Sequence, residues 1–245
     1  MEIFTVEGGA LLARWTHFLA GITWIGLLYY FNFVQVPFFA EIEPDVRGTA
    51  IRKLVPRALA WFRYSAALTF FAGLSLILIR IAQFGWENWD DVLTQPFPFG
   101  IPILSGMILG TIMFLNVWGV IWPNQKIVIA SAEKTAAGGE ADPKAADAGR
   151  RGLLASRTNV VLSIPMLFFM ATSSHLPLYS EATTSEKALY ALIAGGVVLL
   201  VELNALLGLT GSLKKPLEKV GSAILSGFGL FAVIYVVMQV ITRTP

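Results

Sequence analysis

The sequence predicts an all-α fold, a polytopic transmembrane helix bundle of about six spanning helices with both termini outside. Three observations predict it. The 245 residues are 56% hydrophobic, with mean hydropathy +0.67, and only 14% are charged, against roughly 25% in soluble domains. Six apolar stretches, at 11–39, 62–84, 99–122, 154–178, 188–210 and 220–242, each meet the ~20 residues that a bilayer core demands of a helix. The basic residues are sorted onto alternate loops, as the cytoplasmic loops of membrane proteins are.

The first stretch runs from Leu11 to Phe39, interrupted only by Arg14. No short apolar core followed by a small-residue cleavage site stands apart in it, so it reads as a retained helix and not a removed signal peptide. Residues 40–61, "AEIEPDVRGTAIRKLVPRALAW", mix charge with scattered apolar positions and are expected to lie along the interface. Residues 130–153 are rich in Ala, Gly and charge and are expected to form a flexible cytoplasmic loop. The whole of 1–245 is thus expected to be one integral membrane domain. Near the end of the third stretch, "NVWGVIWPNQ" places two tryptophans at an interface and then a proline, which reads as an aromatic belt followed by a helix break. In the sixth stretch, Ser222, Ala223, Ser226 and Gly227 form small-x-x-x-small pairs, which permit close helix contact or an oligomer through that helix.

Fourteen of the eighteen Lys and Arg residues fall on the first, third and fifth loops and their helix ends. The other side holds Arg14, Arg80, Lys187 and Arg243. Six spans leave both termini on that second side, expected to be the periplasm, with the chain a multi-pass protein of the bacterial inner (cytoplasmic) membrane. A net charge of +2 gives no reason to expect nucleic acid as a partner; the partner is the lipid bilayer. Cysteine is absent, which excludes disulfides, thiolate metal sites, iron–sulfur clusters and the C-x-x-C-H attachment of a c-type haem.

The two histidines, His17 and His175, then fall at similar depth near the outer face, one on a descending helix and one on a rising helix. Two facing helices that each give one imidazole are the cradle of a b-type haem. At helical spacing below His17 come Gly21 and Trp24, and below His175 comes Phe168, a pattern of clearance and apolar wall. Arg14 and Arg80 lie at the same helix ends and are candidate partners for haem propionates. A copper ion has no comparable set of ligands at a recognisable spacing. The competing reading makes each histidine an interfacial anchor or an interhelical hydrogen-bonding group, with both arginines snorkelling.

A second polar group comprises Asn32, Asn116, Arg157, Asn159, Glu202 and Asn204, all in the inner half of their helices. Glu202 and Arg157 are expected to pair, with Asn116 and Asn159 completing the hydrogen bonds. Asn116, Arg157 and Glu202 are the candidate catalytic residues, and interhelical glue is the alternative.

The stretches "WTHFLAGITWIGLLYYFNFVQ" and "FLNVWGVIWPNQKIVIA" resemble the N-terminal membrane domain of the PuuD-type urate hydroxylase (membrane-bound urate oxidase) family. His17, Trp24, Asn116, Trp118, Pro123, Asn124 and Gln125 match its pattern. The resemblance implies oxidation of urate to 5-hydroxyisourate with electrons passed to a cytochrome c, which full-length members carry as a fused C-terminal domain. With no cysteine in this sequence, the expected electron acceptor is a separate cytochrome c or an electron-transport complex. The leading expectation is a membrane redox protein with one haem b between His17 and His175. The alternatives are a non-enzymatic membrane subunit of a larger electron-transport complex and an organic-anion transporter. The transporter is weakened by the absence of an internal repeat or a broken helix pair.

Overall fold

A computed structural model describes residues 2–87, 100–176, 178 and 182–242. Among them there is no strand, and six helices are long and apolar enough to cross a membrane. They are α1 (Val6–Glu41), α3 (Val55–Phe84), α4 (Gly100–Ala136), α5 (Ala145–His175), α6 (Thr184–Leu206) and α7 (Val220–Ile241), with a short amphipathic α2 (Pro44–Lys53) between the first two spans.

The helices begin and end on local chemistry. The Thr5 hydroxyl accepts the Gly8 N–H to open α1, and Thr183 with Glu186 forms a capping box at the start of α6. The α4 helix ends where Gly138 takes φ +84, so that the Gly139 N–H reaches back to the Lys134 carbonyl, a turn open to glycine and costly to residues with a Cβ. The segment 130–153 is therefore mostly helix and not a flexible loop. The α4 helix runs on to Ala136 and α5 starts at Ala145, because its Ala-rich composition suits a helix as well as a linker.

Nor does Pro123 break α4. Two stretches inside the spans, Tyr30–Gln35 and Asn116–Ile121, wind as π-helix, each just before a proline, Pro37 and Pro123. A proline ring collides with the carbonyl four residues back and offers no N–H. Here the chain widens by one residue before the proline, the Val36 N–H bonding to the Phe31 carbonyl and the Trp122 N–H to the Val117 carbonyl. The helix continues past each proline at the cost of a bulge.

The α5 helix is the hub. Residues 157–163 are buried without interruption, and α4, α6 and α7 pack around it. The α1 helix pairs along its length with α3. The outer faces carry Phe18, Ile22, Trp61, Leu68, Leu192, Leu200 and Leu225, all exposed. Such a continuous apolar surface suits lipid and not water. The two tryptophans of the expected belt turn inward instead. The Trp118 indole N–H donates to the Arg63 carbonyl at 3.2 Å, and the Arg63 guanidinium lies 3.7 Å from the Trp122 ring centroid, which docks α4 on α3 through a cation–π contact.

The small stripe of α7 is used within the chain. A Cβ at Gly227 would lie 3.0 Å from the Val161 backbone carbonyl and 2.5 Å from Ile164 Cδ1, so the close approach of α7 to α5 depends on the glycine. Ser222 and Ser226 return their hydroxyls to their own helix.

The basic loops converge at one end. Arg150, on the first turns of α5, donates to the Leu209 carbonyl and pairs with both carboxylate oxygens of Glu218. Those hydrogen bonds, helped by the charge of Arg150, hold the Glu218 carboxyl below its usual range.

Two outcomes follow from this packing. Gly227→Leu should lower stability in detergent by about 1–3 kcal/mol, the usual cost of overpacking, read as a fall in the thermal midpoint. Because the folded value of Glu218 is lowered, its contribution is fully present above the ordinary carboxylate pKa of about 4.3 and is lost as pH falls through the lowered value. Glu218→Gln should therefore flatten the acid side of the stability profile and leave the neutral side nearly parallel to wild type.

Candidate functional site

Three polar features sit among these helices, and they occupy different levels. The first is His17. Its ring lies against α3, where Nδ1 is 2.8 Å from the Thr69 carbonyl. A carbonyl can only accept, so Nδ1 carries a proton, and in the neutral imidazole Nε2 then keeps its lone pair. A hydrogen bond of this kind also orients a ligating imidazole. Gly73 makes room, because a Cβ there would lie 3.1 Å from Cε1 and 3.2 Å from Nδ1 of His17. Gly21 packs on Thr69 in the same seam, and Trp24 is buried one turn further along. Arg14 and Arg80 lie close enough for their charges to act on each other, which brings two cations together near His17. His175, at the last residue of α5, is exposed. Phe168 stands in an aromatic cluster with Phe231 and Tyr235 of α7.

The second feature is a buried network across α4, α5 and α6. The Asn116 Nδ2 donates to Asn159 Oδ1 at 2.9 Å and to Glu202 Oε2 at 3.0 Å, and the Asn159 Nδ2 donates to the Met113 carbonyl at 3.0 Å. Arg157 is not part of it. The expected Arg157–Glu202 pair does not form, because residues two apart on a helix point to nearly opposite faces and Asn159 takes the face toward α4 and α6. Arg157 is 3% exposed, and its Nε and Nη1 have no hydrogen-bond partner. Asn204 likewise turns away from Glu202 and donates to the Leu213 carbonyl.

The third feature is a cavity of about 240 Å³ at the basic end, where α1, α3, α4 and α5 meet beside Ile51 of α2. Asn32 and Gln35 come from the π turn of α1, Gln125 from the turn after Pro123, and Ser156 from α5. The Asn32 Nδ2 donates to the Leu28 carbonyl and to Ser156 Oγ, both at 2.8 Å. Its Oδ1 and the Oε1 of Gln35 are buried without partners. Gly152 lies beside Gln125, with a Cβ position 3.0 Å from its Nε2.

The expected site residues are thus divided. Asn116 and Glu202 are joined, Arg157 stands apart, and His17 lies in the α1–α3 seam with Trp24 further along its helix. Gln35, Ser156 and Gly152 were not anticipated. A signal for the first existed, since an amide two residues before a proline within an apolar run is costly unless the backbone and side chain find a use there. Among the described residues no group of three or more His, Cys, Asp or Glu gathers, which bears on a bare metal ion and not on a haem that needs only axial ligands.

Residues 98–206 match the family described as urate oxidase N-terminal. That stretch contains α4, α5 and α6, the three helices that contribute Asn116, Asn159 and Glu202. No curated protein and no solved structure matches the chain. Over residues 98–206, this multi-pass membrane chain is similar to the urate oxidase N-terminal family.

Proposed function

We propose that the chain is the membrane part of a urate-oxidising redox protein that holds one haem b through His17 and His175 and hands electrons to a separate cytochrome c. The family match supports the urate-related part of this reading. The observation that carries the redox part is the orientation of His17, whose Nδ1–H is committed to the Thr69 carbonyl so that Nε2 is left as a ligand.

Two features of the α1–α3 pair support this reading. Gly73 seats the His17 ring against α3, and Arg14 and Arg80 are two cations suited to two propionates. A bound haem supplies one-electron transfer. What the chain supplies is a fixed tautomer, a fixed ring orientation and a neutralising pair of guanidiniums near the end of the bundle that carries the termini. His175 would give the second imidazole, and being exposed at a helix end it would be ordered by the bond to iron.

Protein purified from haem-replete cells should show a low-spin Soret band and a split alpha band, and His17→Ala and His175→Ala should each remove or shift them. A colourless preparation, or spectra unchanged in both variants, overturns the haem reading. Gly73→Val should act like a weaker His17 substitution, because the added methyls push the ring off the Thr69 carbonyl; its spectrum should move while the protein remains folded. Urate-dependent reduction of added cytochrome c tests the activity itself.

A further inference from the structure

We propose that the cavity at the basic end binds a small planar lactam or imide heterocycle, a ring whose N–H groups lie beside carbonyls, and that Asn32 and Gln35 read those N–H groups. The inference deepens the urate-related reading and rests on it for the choice of first probe. Its evidence is independent of His17, which lies elsewhere on α1.

Four observations converge. The volume of about 240 Å³ falls below the ~300 Å³ at which pockets for drug-sized ligands begin, so the occupant is one or two rings and not a haem. The broad walls are Phe31, Val55, Leu59 and Phe62, which suit the faces of a flat ring. No ionisable residue lines the space, so recognition falls to hydrogen bonds. Two amide oxygens on the lining are buried acceptors without a donor. Asn32 is 1% exposed and its flip is settled, because Nδ2 must be the atom facing the Leu28 carbonyl; Oδ1 is then an acceptor without a donor. Gln35, 8% exposed, presents a second such oxygen. Buried acceptors without donors cost free energy that a ligand N–H returns, and a site built this way rejects the analogue that lacks the N–H.

The backbone points to the same place. Both π turns among the described residues border this cavity, Tyr30–Gln35 supplying Asn32 and Gln35, and Asn116–Ile121 supplying Ile121 at its end. Single π turns inside α-helices are frequent at functional sites. The extra residue in each re-aims the side chains around it, and here both Asn32 and Gln35 line the cavity.

The test is equilibrium binding to the purified full chain in detergent, with urate, xanthine and 1,3,7-trimethylxanthine as probes. The last keeps the bicyclic ring and both carbonyls but has no N–H. Urate or xanthine should bind at least tenfold more tightly than the trimethylated ring. Gln35→Leu should erase most of that difference, and Gly152→Val, which drives into Gln125, should weaken all binding, while both variants keep the wild-type elution volume and helical signal. Gln35→Glu, of the same shape and retaining an acceptor, guards against a folding defect and should keep the preference for N–H rings. Equal affinity for methylated and unmethylated rings, or unchanged affinity in folded Gln35→Leu and Gly152→Val, overturns the proposal. Urate oxidation at the wild-type rate in both variants also overturns it and leaves the urate reading standing. Binding of xanthine that depends on Gln35, with no turnover of urate, upholds the cavity assignment and defeats the redox reading instead.

Discussion

The structure is organised by the enclosure of α5. A helix surrounded by other helices inside a bilayer has no water to turn to, so a polar atom it carries is costly unless a neighbour answers it. Asn159 is answered by Asn116 and the Met113 carbonyl, Ser163 by the Tyr29 hydroxyl, and Ser156 by Asn32. Each answer fixes the rotation and depth of the helix that gives it. Dispersion alone would let apolar helices slide; these bonds set register, much as a single buried polar residue does in a coiled coil. The close seam at Gly227 sets the distance of the last helix by shape.

The same enclosure explains why the prolines do not break their helices. A broken helix in lipid exposes carbonyls and N–H groups with nothing to bond, whereas a π turn keeps nearly all of them paired. The price is one residue out of phase with its helix. In α1 that shift places Asn32 and Gln35 beside the cavity; in α4 it follows directly from Asn116, so the network and the cavity are arranged around paired irregularities in neighbouring helices.

Much of this was legible in the residues. Six spans, the convergence of the basic loops at one end, and the membership of Asn116, Asn159 and Glu202 in one polar group follow from hydropathy, charge and depth. What was not legible was rotation. Depth placed Arg157 with Glu202, but facing is set by which helices are neighbours, and Arg157 lies on the wrong side of α5 from α6 for that pair. Trp118 and Trp122 looked like an interfacial belt because the sequence does not show that Arg63 of α3 lies opposite them. Composition also misjudged 130–153, since alanine with charge is compatible with linker and helix alike. The motif "WPNQ" promised a break because proline is scored alone, without the widening turn that precedes it.

The placement of His17 and the cavity on one helix has a physical consequence. From His17 to Asn32 is fifteen positions, about 22 Å at 1.5 Å per residue, and the buried residues between them, Ala20, Trp24, Ile25, Leu28 and Phe31, are apolar apart from the Trp24 indole N–H. Charge is costly in such a layer, and the hydroxyls of Thr69 and Ser65, buried on α3 in the same seam, return to their own helix. A cofactor at His17 and a ligand in the cavity, both proposed above, would stand on opposite sides of that layer. The Asn116–Asn159–Glu202 group does not close that gap, since its hydrogen bonds run among α4, α5 and α6 and none reaches α1.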